Sequence, residues 1–507
     1  MKAFRSCCLL LVAPWLAGCA VGPDYRAPET PMPRSFPAAL PAAGPERGAV
    51  DFNQWWKALH DPELDALVEE AIKANLDIEI ALDRLQEART AEAVVLGAAL
   101  PRVGGGASYG HGSGNTEARG GTAPPLTAAT TTSGYSEVNQ AAGFDFSWEL
   151  DLFGRYRREL EAARDAAQAA AAFRNTVLIA VVADVARAYV DMRGLQMQFT
   201  IVRKEIATAE RSLDFVRVRY EHGLTNELDV TLAQRELATL QSRVGPLAAG
   251  IAAAQDSIAV LLGHYPEDHA KALSAEGLIP PIPGRIDQGL PIDLLRRRPD
   301  IREAERQLAV ATARVGVATA DLYPRVVLGS AVGFQAGRGT DGASLGEHIW
   351  SVGPSAYWPL LDFGTLDGLV QIADLQTREQ LARYKLTVLS AVRDVDTALA
   401  NYQAEQERLA SLSQAVAASQ DAVHLAEERY ERGLSDFLNV IDAERENYAL
   451  EDQFASAQQS VADQFVALYR SLGGGWENYQ SVPPIRQPLP AILAAAERLV
   501  RHPEPTE

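Results

Sequence analysis

The residue with the most specific chemistry is Cys19, at the end of Leu16-Ala17-Gly18-Cys19. Small residues directly before a cysteine form the pattern of a bacterial lipoprotein cleavage site, where the cysteine takes a lipid. The segment before it agrees. Lys2 and Arg5 give a positive start, and an apolar stretch of about a dozen residues from Cys7 to Gly18 is too short to span a bilayer. The competing reading is an ordinary secretory signal with an incidental cysteine, and the cysteine count argues against it. Cys7, Cys8 and Cys19 are the only cysteines, so cleavage before Cys19 leaves one thiol and no intrachain disulfide. An exported protein has reason to avoid a free thiol, so the survivor should be the modified one. Ala20 in place of an Asp favours sorting to the outer membrane. The expectation is a signal peptide over residues 1–18 and a lipidated tether over 19–50. The tether is Pro-rich to about Pro45 and reads as extended rather than packed.

Other candidate chemistry is thin. The eight histidines are scattered, with no H-x-x-x-H and no C-x-x-C, which argues against a zinc site. No G-x-x-x-x-G-K-[ST] occurs, so the chain should not hydrolyse ATP itself. Gly106-Ala107-Ser108-Tyr109-Gly110 fits G-x-S-x-G but lies in a Gly-rich expected strand with no helix after it, and reads as chance. A formal net charge of -19 argues against a nucleic-acid partner. The expectation is therefore no enzyme, no metal and no cofactor beyond the lipid on Cys19.

The elements around these residues follow from an internal duplication. Arg219-Tyr220-Glu221-His222-Gly223-Leu224 recurs as Arg429-Tyr430-Glu431-Arg432-Gly433-Leu434, 210 positions on. The same offset links Trp148 to Trp358 and Phe153-Gly154 to Phe363-Gly364. Upstream the offset is 223, linking Asp77-Ile78 to Asp300-Ile301 and Pro101-Arg102-Val103 to Pro324-Arg325-Val326. One insertion between Val103 and Trp148 accounts for the change, and chance does not produce such a pattern. The first repeat spans 51–263 with a β-hairpin at about 103–148 and a turn at 222–225. A connector covers 264–298. The second repeat spans 299–473 with a hairpin at about 326–358 and a turn at 432–435. The remainder, 474–507, is a C-terminal segment and tail.

Alternation marks the strands. Phe144, Phe146, Trp148 and Leu150 share one face, as do Val326, Leu328, Val332 and Phe334, then Val352, Ala356 and Trp358. A half-buried soluble sheet has the same period. The loop from Gly112 to Thr132, rich in Gly, Thr and Ala, resembles the outer loops of membrane barrels. Trp148, Tyr357 and Trp358 lie at strand ends, where an aromatic girdle would sit. Apolar runs of transmembrane-helix length are not seen after the signal, so a membrane span would have to be a closed β-barrel. Four strands cannot close one, because the smallest membrane barrels have about eight; three copies would supply twelve.

The helices are long. Thr365 to Arg432 is 68 residues, about 100 Å at about 1.5 Å per residue, and Arg155 to His222 matches it. Return helices run from Leu224 to Gly263 and Leu434 to Gly473, and leading helices from Leu76 to Leu100 and Pro299 to Tyr323. Two shorter helices stacked end to end would match one long one. The segments outside the repeats (Asp51 to Asn75, His264 to Arg298, and Gly474 onward) should form a belt where the stacked helices meet. Asp61-Pro62-Glu63 reads as a helix start.

Several motifs carry a family resemblance. Leu16 to Tyr25 (LAGCAVGPDY), Trp55-Trp56 before Asp61-Pro62, Arg298-Pro299-Asp300-Ile301-Arg302, Tyr323-Pro324-Arg325 and the paired Arg-Tyr-x-x-Gly-Leu turns resemble the TolC-like outer membrane factor family, lipoprotein (NodT/OprM-like) branch. The match covers Cys19 to about Trp476, and the combination is specific though no single motif is. The resemblance implies a mixed α and β membrane protein, a homotrimer. Its 12-stranded outer-membrane β-barrel, four strands per chain, would continue into a long periplasmic α-helical barrel. It further implies a lipid-anchored exit channel of a tripartite (RND-type) efflux pump, passively conducting drugs or other small molecules. Its partners would be a periplasmic adaptor (membrane fusion) protein and an inner-membrane RND-type transporter. A type I protein secretion duct or a metal-cation efflux duct of the same fold is the alternative.

By the same resemblance the tips Arg219, Tyr220, Gly223, Leu224, Arg429, Tyr430, Gly433 and Leu434 would dock the adaptor, although a plain helix C-cap explains the glycines equally well. Leu438, Asn439 and Asp442 match the periplasmic constriction. Asn439 stands where some members have an aspartate, so one acidic ring would lack charge. Asp442 would form a ring of three carboxylates favouring cations, or be simply an exposed helix carboxylate; Arg445, three residues on, could pair with it. For Cys19 the expected outcome is direct: labelled palmitate is incorporated by the wild-type chain and lost in Cys19→Ser, as read by autoradiography of the purified protein.

Overall fold

The computed structural model describes residues 20–38, 52–111, 138–269, 273, 277–283, 291–338 and 344–479. Cys19 and the expected signal peptide, residues 39–50, the loop 112–137 and the tail from 480 lie outside the described residues.

Capping chemistry opens the helices. The Asp61 carboxylate accepts from the N–H of Glu63 at 3.0 Å and of Leu64 at 3.3 Å, with Pro62 in the first turn, and starts α1 (Pro62–Ala74). Asn75 does the same for Asp77 and Ile78 at the start of α2 (Leu76–Ala98). Then come β1 (Arg102–His111), β2 (Val138–Leu150), α3 (Arg155–Glu221) and α4 (Glu227–Leu261). The second half has the same order: α5 (Pro299–Ala320), β3 (Arg325–Arg338), β4 (Ser344–Tyr357), α6 (Thr365–Glu431) and α7 (Phe437–Leu472). The two long helices have 67 residues each, about 100 Å at about 1.5 Å per residue. The return helices begin at Glu227 and Phe437 rather than directly after the Gly-Leu pairs, because Asn226 and Asp436 take extended cap conformations first.

End-to-end stacking joins the shorter helices. The Asn75 amide, at the start of α2, donates to the carbonyl of Leu261 at the end of α4 (2.8 Å). Arg298, at the start of α5, donates to the carbonyl of Ser471 at the end of α7 (2.9 Å). These bonds are equivalent under the sequence offsets. Each satisfies a carbonyl that a helix end leaves without an intrahelical partner.

At this joint the segments outside the repeats come together. Trp55 stacks on Tyr469 at 5.7 Å and meets Trp56 edge-on. The Trp476 indole donates to Arg297 (3.1 Å), whose own guanidinium lies over Phe52. Trp55, Trp56, Leu64, Leu294 and Trp476 share one buried cluster with Leu178, Val182, Val395 and Phe465 of the long and return helices.

The sheet is antiparallel throughout, in the order β1-β2-β3-β4, so the two hairpins join through β2 and β3, and among the described residues the outer edges of β1 and β4 are unpaired. Its register separates two faces. One carries Val103, Tyr109, Phe144, Phe146, Trp148, Leu328, Val332, Phe334, Trp350 and Val352; the other Gly104, Ser108, Asp145, Ser147, Glu149, Ala331, Gln335, Glu347 and Ser351. Tyr357 falls on the polar face, so it does not line up with Trp148 as the girdle expectation had it. The indoles of Trp148 and Trp358 donate to the carbonyls of Ala99 (3.2 Å) and Leu322 (3.0 Å), tying each hairpin to the end of its leading helix.

One further expectation is corrected. Residues 20–38 are extended but packed. Val21 donates its N–H to Phe153; Arg158 holds the carbonyls of Val21 and Gly22 and the carboxylate of Asp24; Tyr25 bonds Glu305, Thr30 bonds Tyr384, and Ala38 bonds Asp396. Phe36 is buried in the joint. A Cβ on Gly154 would come within 2.6 Å of Ala20, which shows how closely the strap begins against the sheet–helix junction. Among the helices, α3 and α4 each hold an 18-residue window that is apolar enough by composition to cross a bilayer. Alanine and short aliphatic residues make these windows apolar on average without forming an unbroken apolar run, so the expectation of no such run holds.

Trp55→Ala should cost about 3–5 kcal/mol, the range for emptying a large buried aromatic site. A lowered thermal midpoint in detergent, with strand content unchanged by circular dichroism, is the expected measurement.

Candidate gate at the helical tips

Both long helices end in the same turn. Gly223 and Gly433 take φ of 70° and 72°, in the left-handed region that side chains other than hydrogen disfavour. Leu224 and Leu434 return their N–H groups to the carbonyls of Arg219 (2.9 Å) and Arg429 (2.8 Å), and Gly223 and Gly433 to those of Tyr220 and Tyr430. This is the six-to-one, five-to-two bonding that closes a helix end. The leucines do not pack back on their helices: Leu224 is 66% exposed and Leu434 65%.

The matched pairs then diverge. Tyr430 is buried among Val216, Phe437, Val440 and Ile441. The Arg219 guanidinium lies 4.8 Å from the centre of its ring and 5.7 Å from that of Phe215. Tyr220, its counterpart, is exposed, and so is Arg429. Tyr430 therefore supports the tip from inside instead of presenting a docking surface.

Beyond the second turn, α7 turns Phe437, Val440, Ile441 and Glu444 inward and leaves Leu438, Asn439 and Asp442 on its open face. The three expected constriction residues thus share one surface. Arg445 does not pair with Asp442; its Nε lies 3.5 Å from Glu236 on α4. A carboxylate held in the groove between helices outcompetes one exposed on the same helix.

Sequence reasoning missed the cluster above the tip. Glu205, Glu236 and Glu444 are buried on three different helices. Ser212 donates to Glu444 at 2.9 Å, and Arg243 bridges Glu205 (3.2 Å) and Asp452. Burial pushes the Glu205 carboxyl up to about 7, helped by Asp452 and opposed by Arg243. Burial likewise pushes Glu444 up to about 7, with Ser212 opposing and Glu427 and Glu236 adding to the rise. The available signal was an acid inside an apolar stripe: Val440, Ile441, Glu444 and Tyr448 recur at helical spacing.

An amphipathic sheet joined to helices of this length, with turns at the far tips and no clustered metal ligands among the described residues, defines a mixed helical and sheet protein of the outer-membrane channel type. Comparison with known proteins agrees. Residues 67–264 and 290–474 match the outer membrane efflux protein family, and the chain belongs to it. It is 31% identical to nodulation protein T of Rhizobium leguminosarum bv. viciae, over 98% of each chain. It is 31% identical to the antibiotic efflux pump outer membrane protein ArpC of Pseudomonas putida, over 91% of this chain and 93% of that one. Among solved structures, the outer-membrane channel OprN superposes with a TM-score of 0.80 at 38% identity, covering 90% of this chain and 100% of that chain. The protein is thus an outer-membrane efflux channel component, with its helices reaching into the periplasm.

The buried carboxyls make stability depend on pH. In the unfolded chain they ionise near the ordinary 4.5; in the fold they keep the proton to about 7. Their neutral form therefore stabilises fully below about 4.5, and that contribution is lost as pH rises through 7. The thermal midpoint of wild type should fall between pH 5 and 8 relative to Glu205→Gln/Glu444→Gln, by the equivalent of roughly 2–3 kcal/mol per group. Parallel pH curves would show the groups are not buried as drawn.

Proposed function

We propose that three copies of this chain close a twelve-stranded barrel in the outer membrane and a continuous helical barrel beneath it, forming the passive exit duct of a tripartite pump. The observation that carries this reading is the sheet: four strands of 10 to 14 residues, one face apolar and one polar, with both outer edges open. That length suits a tilted strand crossing hydrocarbon, and an open edge cannot persist there. Four strands are too few to close, so copies must complete the ring.

The apolar face would meet lipid and the small, polar face would line the lumen. A lipid on Cys19 would add an anchor, since the strap that follows begins against Gly154 at the base of the sheet. The chain carries no catalysis and needs no cofactor; transport energy comes from an inner-membrane RND-type transporter through a periplasmic adaptor that docks at the exposed tips. The described role of ArpC in antibiotic efflux supports small organic cargo. Leu438 and Asp442 would narrow the lower end, with Asp442 favouring cations.

The test is the native mass in mild detergent followed by single-channel recording. Three chains per particle and a cation preference that drops in Asp442→Asn are expected. A monomer that stays soluble without detergent would remove the pore.

A further inference from the structure

The apolar face of the sheet is not even. It holds a recess of about 620 Å³, within the size range of ligand sites. By register Ala107, Ala142, Phe334 and His348 stand side by side across the four strands, with Phe144 one step along β2 toward the helices. The two phenylalanine rings lean apart. A Cβ on Gly105 would meet the Phe144 ring at 3.3 Å, and one on Gly346 would meet the Phe334 ring at 2.7 Å. Phe144 thus lies toward β1 and Phe334 toward β4, each over a glycine. Ala107 and Ala142 between them stay exposed and form the floor.

One side of the recess is polar. His348 meets Phe334 edge-on, with ring centres 5.6 Å apart, and has no hydrogen bond among the described residues. A neutral imidazole has one N–H to donate and one nitrogen that accepts. Facing hydrocarbon, both are costly unless something bonds them. Depth narrows what that can be. His348 is four residues from the outer end of β4 at Ser344 and nine from its helix end at Tyr357. In a strand tilted about 40°, four residues are about 10 Å along the barrel axis. The recess therefore falls in the outer leaflet, a short way below the headgroups. A plain acyl ester offers only acceptor oxygens there. A hydroxyacyl chain offers a carbonyl that accepts and a hydroxyl that donates.

We propose that the recess seats one hydroxyacyl chain of an outer-leaflet glycolipid. The chain lies over Ala107 and Ala142 between the two rings, and its carbonyl and hydroxyl bond the His348 nitrogens. This inference rests on the lipid-facing barrel proposed above. Burying the chain gives no hydrophobic gain, because the surrounding lipid is equally apolar. Preference for the seat comes from close packing against the rings and the alanine floor, and from the bonds to His348.

The experiment is native mass spectrometry of the full-length protein in mild detergent, with purified lipid A and phosphatidylglycerol added in equal amounts. Wild type should retain lipid A. Ala142→Phe fills the floor and should lower that retention roughly tenfold or more, as should Ala107→Leu. Val352→Phe adds a ring to the same face outside the recess and should leave retention unchanged. His348→Phe keeps the ring and removes the polar contact. It should lower lipid A retention by a factor of about five, the worth of one neutral hydrogen bond, and leave phosphatidylglycerol unchanged. A particle of three chains whose lipid retention is the same in wild type and Ala142→Phe would overturn the seat and leave the barrel standing. Equal loss of both lipids in His348→Phe, or no loss, would overturn the hydroxyacyl assignment. A monomer soluble without detergent would overturn the seat and the barrel together.

Discussion

A backbone N–H or C=O in hydrocarbon finds no water, so each must be bonded within protein. In this chain that demand falls on the outer edges of β1 and β4, which no other strand among the described residues reaches. Much else follows from it. If the edges are completed by further copies, the ring fixes how many helices descend beneath it. The faces that look wasteful in one chain, such as Ile372 and Leu375 on α6, become faces a neighbour covers. Such a ring would also account for the many small residues on the sheet's polar face. Glycine, alanine and serine dominate beside Asp145 and Glu149, leaving room on the inner side of a closed barrel.

The helices meet a second constraint. A 67-residue helix can be matched only by shorter pieces laid end to end, and each join exposes carbonyls and N–H groups. Asn75 and Arg298 each reach across to the terminal carbonyl opposite. The aromatic cluster of Trp55, Trp56, Phe465 and Tyr469 then seals the joint from water. The segments outside the repeats serve this one level, which is why they have no counterpart elsewhere along the helices.

Much of this was legible in the residues. The offsets of 210 and 223 located both hairpins, both tips and both stacked joints, because duplicated backbone needs duplicated glycines and caps. What escaped had no periodic signal. The strap of residues 20–38 is rich in proline, which suggests an unpacked tether; its burial depends on single residues, Tyr25, Thr30 and Phe36, meeting partners hundreds of positions away. Arg445 was paired by helix spacing with Asp442, but its partner Glu236 lies on a different helix, and no spacing rule sees across a groove. The buried Glu205 and Glu444 were visible only as acids interrupting an apolar stripe, a pattern that alone does not show which neighbours close over them.

The two tips share a backbone and differ in what they do with it. Position by position, Leu228, Asp229 and Leu232 of the first repeat correspond to Leu438, Asn439 and Asp442 of the second. Asp229 is occupied locally: it accepts from Thr225, and its own N–H goes to Asn226 at the helix start. Asp442 lies a turn further along α7 with its carboxylate on the open face. An ancestral ring of six equal tips would place like charges at six equal positions and pay repulsion at each. In the proposed ring of three copies, using one repeat's acid locally at the helix start and placing the other's on an exposed face would leave three open carboxylates instead of six. In that arrangement threefold symmetry would come from side chains laid on a nearly sixfold backbone. The first repeat holds the second, as Arg219 holds Tyr430, while the second leaves Leu438 and Asp442 on the open face of α7.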